Sequence, residues 1–339
     1  MDKNYRVVFS DIKKVEVEEC EYPLLDDDQV IIKSLVSQIS TGTELTMLEA
    51  NVDEDSTWRH SDYTVHFPEY PGYSNVGEVV AAGAGIDSSI VGKRVFTSGP
   101  HAAYFTYDAE NLNFIPESVD NEQAVSATVA RIACGNVRYA DICLGDEVLV
   151  FGGGIIGQFT ARFARLSGAL RVIVADISEK RLGFVPKEAG FYTLNSSEQD
   201  FREKVMKICG GRLPKYVFET TGNQKLVDME MRYVADYGKL IITSSPKGKS
   251  TVDFDYINRH QLNVVGGANW MVHTVIAVNG NQWTQHRDTD YYMELSEMGL
   301  LDTKKLITHT YSYKDAAQAY EMLMEDRSQA MSVLIDWRK

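Results

Sequence analysis

The chain has 339 residues and a mass of 38.0 kDa, with 34 Lys and Arg against 48 Asp and Glu, a formal charge of −14 and a pI near 5.0. That length allows a sizeable core and suggests two domains, while 44% hydrophobic and 24% charged residues is the balance of a soluble globular protein. The acidic surplus argues against general binding to nucleic acid or anionic membranes, and neither a membrane-length apolar run nor a signal-peptide core is present, so the cytoplasm is expected.

Short strand candidates open the chain at Tyr5 to Phe9, Lys14 to Val17 and Gln29 to Leu35. Glycines punctuate the next strands, notably Asn75 to Ala81 and Arg94 to Thr97, and Tyr104 to Thr106 and Leu112 to Ile115 complete a mostly antiparallel β domain over residues 1–120. Pro116 marks a boundary before a helical stretch from Asn121 to Ala140. Cys20, Cys134, Cys143 and Cys209 are too scattered for a zinc knuckle or a redox pair and read as reduced thiols.

The next stretch carries the most chemistry. Val148 to Phe151 form an apolar run suited to a buried parallel strand, and Gly152, Gly154 and Gly157 follow in GxGxxG spacing. In a dinucleotide fold the first glycine makes the tight turn, the second lets the backbone approach a pyrophosphate, and the third lets the helix pack on the sheet. The helix then starts at Ile155 and Ile156, whose amides would face the phosphates. A second apolar run, Val172 to Ala175, ends at Asp176, placed to accept the adenosine ribose hydroxyls and to repel a 2′-phosphate. NAD is therefore expected over NADP. Arg181 is a candidate for the adenine side of the site. Lys215 to Glu219, Gly238 to Thr243 and Leu262 to Val265 continue the strand pattern to about residue 275, and residues 276–339 end the nucleotide domain and return the chain to the first one. Ala316, Ala317, Tyr320, Leu323 and Met324 have helical spacing, followed by a closing strand from Ser332 to Ile335.

PGYSNVGEVVAAGAGI at 71–86, VGKRVF at 91–96, LGDEVLVFGGGIIG at 144–157 and LITHTYSYKDAAQAYEML at 306–323 together resemble the medium-chain dehydrogenase/reductase superfamily over nearly the whole chain. The resemblance implies an α/β protein: a GroES-like, mostly antiparallel domain (1–120), a doubly wound Rossmann domain (121–275), and an active site in their cleft. It also implies that the loop Thr220, Thr221 and Gly222 borders the cofactor, that Gly267 and Ala268 lie near the nicotinamide, and that the chain pairs as a homodimer through the Rossmann domain.

Zinc-dependent relatives place ligands where this chain has Ser40, Tyr73 in place of the Gly-His-Glu histidine, and a residue near Thr128. Imidazole and thiolate donors are thus replaced, and no metal is expected. ISTGTE at 39–44, GYSNVGEV at 72–79 and SGPHAAYF at 98–105 are similar to the zinc-lacking branch that contains bacteriochlorophyllide dehydrogenase, which implies NAD-linked oxidation of a secondary alcohol. Without a metal, protein groups must move the hydroxyl proton. Tyr73 and His101 are the candidates for transfer, with Ser40, Thr43 and Glu44 orienting a polyol or passing the proton outward. The competing roles are packing for Tyr73, loop support for His101 and helix capping for Glu44. Trp270, Met271, His273 and the segment 279–288 read as a specificity surface for a large ring or sugar-like ligand, or equally as a dimer contact. The expected activity is interconversion of a small-molecule secondary alcohol and its ketone. A quinone- or enoyl-type C=C reductase, and a nucleotide-binding protein without efficient catalysis, are the alternatives.

Overall fold

The computed structural model describes residues 3–54, 56, 66–267, 275–278 and 281–339. The chain divides into two compact units, one made of Met1–Val52, Ser61–Thr128 and Thr289–Lys339, the other of Asp53–His60 and Val129–Asp288.

The first unit is built on the long strand β3. Strands β1 (Asn4–Asp11) and β2 (Lys14–Cys20) form an antiparallel pair, joined where Lys13 takes φ +57°. β3 (Gln29–Ile39) buries Val30, Ile32, Val36 and Ile39, and pairs antiparallel with β4 (Asn75–Ala82). β4 pairs with β5 (Arg94–Thr97), β6 (Tyr104–Asp108) returns to β3, and β7 (Asn113–Phe114) closes on β5. The helical stretch expected from Asn121 to Ala140 is two helices, Asn121–Ala124 and Ala127–Ala140. The break has a local partner: the Ser74 hydroxyl donates to the Val125 carbonyl at 2.6 Å, occupying an acceptor that a continuous helix would use.

The second unit is a six-stranded parallel sheet. In chain order its strands are β8 (Glu147–Phe151), β9 (Arg171–Asp176), β10 (Phe191–Asn195), β11 (Tyr216–Glu219), β12 (Lys239–Ile242) and β13 (Asn263–Gly266). They lie side by side as β10-β9-β8-β11-β12-β13. Numbered within the unit this is 3-2-1-4-5-6, the doubly wound order, whose topological switch falls between β8 and β11. Leu149, Ile173, Val217 and Leu240 are fully buried, as strands covered on both faces require. A hairpin of β14 (Val275–Val278) and β15 (Asn281–Thr284), not foreseen from the sequence, precedes the helix Gln285–Glu297.

The chain then rejoins the first unit. β16 (Ile307–Ser312) runs parallel to β17 (Ser332–Asp336), and β17 pairs antiparallel with β3, which makes a seven-stranded sheet. The helix Ala316–Asp326 between them buries Ala316, Ala319, Tyr320 and Leu323 against Val7, Phe9, Leu45 and Leu48. The fold is therefore α/β, a mostly antiparallel unit plus a Rossmann-type parallel sheet, as expected.

Candidate functional site

The glycine turn of the second unit forms where β8 ends. Gly152 holds φ +99°, and a β-carbon there would sit 2.6 Å from Thr220 Oγ1. A β-carbon at Gly157 would lie 1.9 Å from the Gly152 carbonyl oxygen, so only glycine lets the helix Ile155–Leu166 approach the turn. Gly154, which caps that helix, differs from both: a β-carbon there meets nothing within 4 Å. The first amides of the helix, including those of Ile155 and Ile156, have no acceptor within it. Open space beside unspent amides, with close packing on either side, fits a dinucleotide pyrophosphate.

Asp176 ends β9 and is 7% exposed. Its Oδ2 accepts the Gly153 amide at 2.7 Å and its Oδ1 the Ser178 amide at 2.8 Å, which binds the strand end to the glycine turn. Each carboxylate oxygen retains a second lone pair for a hydroxyl donor. Arg181 Nη1 stands 3.9 Å from Asp176 Oδ2, within the helix Glu179–Leu182. Sequence reasoning missed Gln158. It is fully buried, and its Nε2 donates to the carbonyls of Gly153 and Arg181 at 3.0 and 3.1 Å, bracing the turn from behind.

The Thr220 hydroxyl points into the turn, donating to the carbonyls of Phe151 and Gly152 at 2.7 and 3.0 Å. The Thr221 hydroxyl and the amides of Thr221 and Gly222 are held by Glu219 Oε1 at 2.6, 2.6 and 2.9 Å. The Gly267 amide donates to the Ile242 carbonyl at 2.8 Å, and its own carbonyl accepts Asn136 Nδ2 at 3.0 Å. A β-carbon at Gly267 would lie 1.7 Å from Asn136 Oδ1, so this position also excludes side chains. Ala268, Trp270, Met271 and His273 lie outside the described residues, as do 279 and 280 of the segment 279–288. Within that segment, the guanidinium groups of Arg138 and Arg287 lie over the Trp283 ring, 3.2 and 3.8 Å from its centroid.

In the first unit, four of the five predicted polar residues come together. Tyr73 donates to the Ser40 hydroxyl. The Ser40 amide, which precedes the helix containing Glu44, donates to Glu44 Oε1 at 3.0 Å. Glu44 Oε2 lies 3.2 Å from His101 Nε2 and accepts the Tyr320 hydroxyl at 2.5 Å. His101 Nδ1 lies 2.7 Å from Ser37 Oγ, which also accepts the Trp337 indole N–H at 2.9 Å. His101 and Glu44 are buried, at 0% and 1% exposure, and both ring nitrogens of His101 are engaged. Burial, together with the Glu44 charge, holds the Tyr320 phenol well above the usual tyrosine range, so it remains a donor. Thr43 opens the helix Thr43–Glu49, half-buried, and its side chain makes no hydrogen bond among the described residues. Ser37, Tyr320 and Trp337 were not foreseen.

Hydroxyl groups stand at the three positions that the resemblance marks for metal ligands, Ser40, Tyr73 and Thr128. The Tyr73 hydroxyl donates to Ser40 Oγ, and the Thr128 hydroxyl donates to the Tyr73 carbonyl at 3.0 Å. Among the described residues no three His, Cys, Asp or Glu side chains are gathered for a metal. Cys134 lies 3.7 Å from Asp288 Oδ1, and burial raises its thiol far above the ordinary cysteine value, which keeps it protonated.

Residues 156–279 match the family model described as zinc-binding dehydrogenase. Along 97% of its length the chain is 21% identical to sorbitol dehydrogenase of Bacillus subtilis, covering 96% of that protein. It is 26% identical to L-threonine 3-dehydrogenase of Pyrococcus horikoshii over 91% of each chain. Among solved structures, 2R,3R-butanediol dehydrogenase from Bacillus subtilis superposes with a TM-score of 0.80 at 19% identity, over 98% of this chain and 99% of that one. The chain is thus similar to the medium-chain, zinc-type dehydrogenase superfamily, and the superposition shows that fold. No helix among the described residues is long and apolar enough to cross a membrane.

Proposed function

We propose that this chain is a zinc-independent, NAD(H)-linked oxidoreductase that interconverts a secondary alcohol and its ketone, the alcohol being a polyol, a sugar derivative or a larger hydroxylated metabolite. The observation that carries the reading is Asp176, a nearly buried carboxylate bonded to the amide of Gly153 within the glycine turn. The similarity to enzymes named for sorbitol and threonine supports CH–OH as the reacting group.

Bound NAD supplies the hydride acceptor. The protein must then orient the alcohol and take its hydroxyl proton. Tyr73 and Ser40 suit that task, because a hydroxyl can accept one proton while giving up another. As the substrate proton reaches the Tyr73 oxygen, the phenol proton passes to Ser40 Oγ and the serine proton is released to solvent water beside the half-buried Ser40. Glu44 and His101 act behind this pair, holding the Ser40 backbone in place rather than meeting substrate. Metal is absent from this reading because serine, tyrosine and threonine stand at the positions where relatives carry ligands.

Protein dialysed against a chelator and assayed with paired alcohols and ketones tests the proposal. Turnover should survive the loss of zinc. Tyr73→Phe should lower kcat by about 100-fold, the usual weight of a proton-transfer group, with NADH affinity unchanged. One tightly bound zinc per chain whose removal stops turnover would sink metal independence, and wild-type kcat in Tyr73→Phe would remove the phenol from the proton path.

A homodimer through the nucleotide unit and a cytoplasmic setting belong to the same proposal. Strand β13 ends the parallel sheet with Val264 at 44% exposure, an edge a second copy can pair with, and the four cysteines are free thiols.

A further inference from the structure

Two buried glutamates stand behind the carboxyl ends of β11 and β12. Glu219 ends β11, Glu230 lies in the helix Val227–Met231, and both are fully buried. Their surroundings are opposite. Glu219 Oε1 accepts the Thr221 amide, the Thr221 hydroxyl and the Gly222 amide, and its Oε2 accepts the Ser244 hydroxyl. The Thr243 and Ser244 amides also donate to the Glu219 carbonyl at 2.9 and 3.1 Å. One residue therefore ties two neighbouring strand ends together and bends the chain into a turn with Gly222 at φ +74°.

That turn lies directly on the glycine cradle. A β-carbon on Gly152 would stand 2.6 Å from Thr220 Oγ1 and 3.2 Å from the Thr221 nitrogen. With the Thr220 hydroxyl bonded to the Gly152 carbonyl, a change in the turn reaches Gly152 without passing through any other element. Glu230 has no such connection, since neither carboxyl oxygen has a hydrogen-bond partner. Burial, reinforced by the Glu219 charge, pushes it up to about 9, so it is neutral at pH 7. Four donors converge on the Glu219 carboxyl group and none on that of Glu230.

We propose that Glu219 is a positioning residue for the dinucleotide, shaping the Thr220–Gly222 turn and through it the Gly152 turn, without itself touching the cofactor. The inference rests on the NAD(H) reading above. It is tested by titrating NADH into wild type, Glu219→Ala, Glu219→Gln and Glu230→Gln, with the unfolding temperature of each recorded. Glu219→Ala should weaken NADH about tenfold, which corresponds to about 1.4 kcal/mol. Glu219→Gln keeps a carbonyl acceptor for the two amides and should recover part of that loss. Glu230→Gln is equally buried but joined to nothing, so it should shift the unfolding temperature and leave NADH affinity within about twofold, a change of under half a kcal/mol. A role confined to stability would instead give all variants wild-type affinity below their unfolding temperatures. If Glu219→Ala does not fold, Glu219→Gln and Ser244→Ala carry the same comparison. Unchanged affinity in the Glu219 and Ser244 variants, with NADH binding to wild type, overturns the positioning role alone. A wild type that binds neither NADH nor NADPH overturns the cofactor reading with it.

Discussion

Gly157→Ala is expected to abolish dinucleotide binding, with NADH affinity falling by at least about 100-fold, or about 2.7 kcal/mol. The cause is steric and local. The new β-carbon would stand 1.9 Å from the Gly152 carbonyl oxygen and 2.9 Å from Thr220 Oγ1, neither of which can withdraw cheaply. The oxygen belongs to the backbone of the turn, and the threonine hydroxyl is anchored to the Phe151 and Gly152 carbonyls. The helix must move away from β8, which opens the cradle and costs about 1–3 kcal/mol in packing. Gly154→Ala separates binding from folding, because its β-carbon meets nothing within 4 Å. That variant should unfold as wild type does and still bind NADH poorly, since the methyl occupies the space where the pyrophosphate approaches. Calorimetric titration beside thermal unfolding checks both substitutions. Normal NADH binding by Gly157→Ala would contradict the placement of the cofactor at this turn.

The second large effect is on stability. Glu44→Ala should destabilise the first unit by about 2–5 kcal/mol, since each buried group left without its hydrogen-bond partner costs about 1–3 kcal/mol. It leaves the Tyr320 hydroxyl, His101 Nε2 and the Ser40 amide without their acceptor in a site that is almost fully buried. Tyr320→Phe removes a single donor and should cost less, about 1–2 kcal/mol. The same cluster gives a pH signature. Tyr320 is raised in the folded state, so its contribution is intact below the ordinary tyrosine value of about 10 and is lost as pH rises beyond it, because the unfolded chain releases that proton first. Denaturant unfolding at pH 7 and above pH 10 measures both effects. A fall in stability on alkalinisation that is the same in wild type and Tyr320→Phe would remove Tyr320 as its source.

The parts of this architecture legible in the sequence are those where backbone geometry dictates residue type. Gly152 and Gly157 admit no side chain, and Asp176 must end the second strand to reach the turn. The residues that hold those groups in place could not be read the same way. Gln158 lies within a mixed helix, and Glu219 closes an apolar strand, so each resembles an ordinary polar residue until its partners are known. The polar cluster of the first unit is harder still. Tyr320 lies 276 residues from Glu44, and Trp337 lies 300 from Ser37, separations that no periodic pattern bridges. His101 is fully buried with both ring nitrogens engaged, by Ser37 and Glu44, partners that its place in the sequence does not reveal. The break at Val125 was hidden for the same reason, since the hydroxyl that takes its carbonyl comes from Ser74.

Cofactor choice tests the account most directly, because it needs no knowledge of the substrate. NADH and NADPH should be titrated separately into wild type and Asp176→Ser. In wild type the carboxylate can accept two ribose hydroxyls, and charge-assisted bonds of this kind contribute about 1.5–3 kcal/mol. The same group repels a 2′-phosphate, so NADH should bind at least about tenfold more tightly, the equivalent of about 1.4 kcal/mol. Asp176→Ser should weaken NADH and narrow the difference, with Glu179 preserving some repulsion and Lys180 and Arg181 opposing it. NADPH binding to wild type as tightly as NADH, or more tightly, would contradict the assignment.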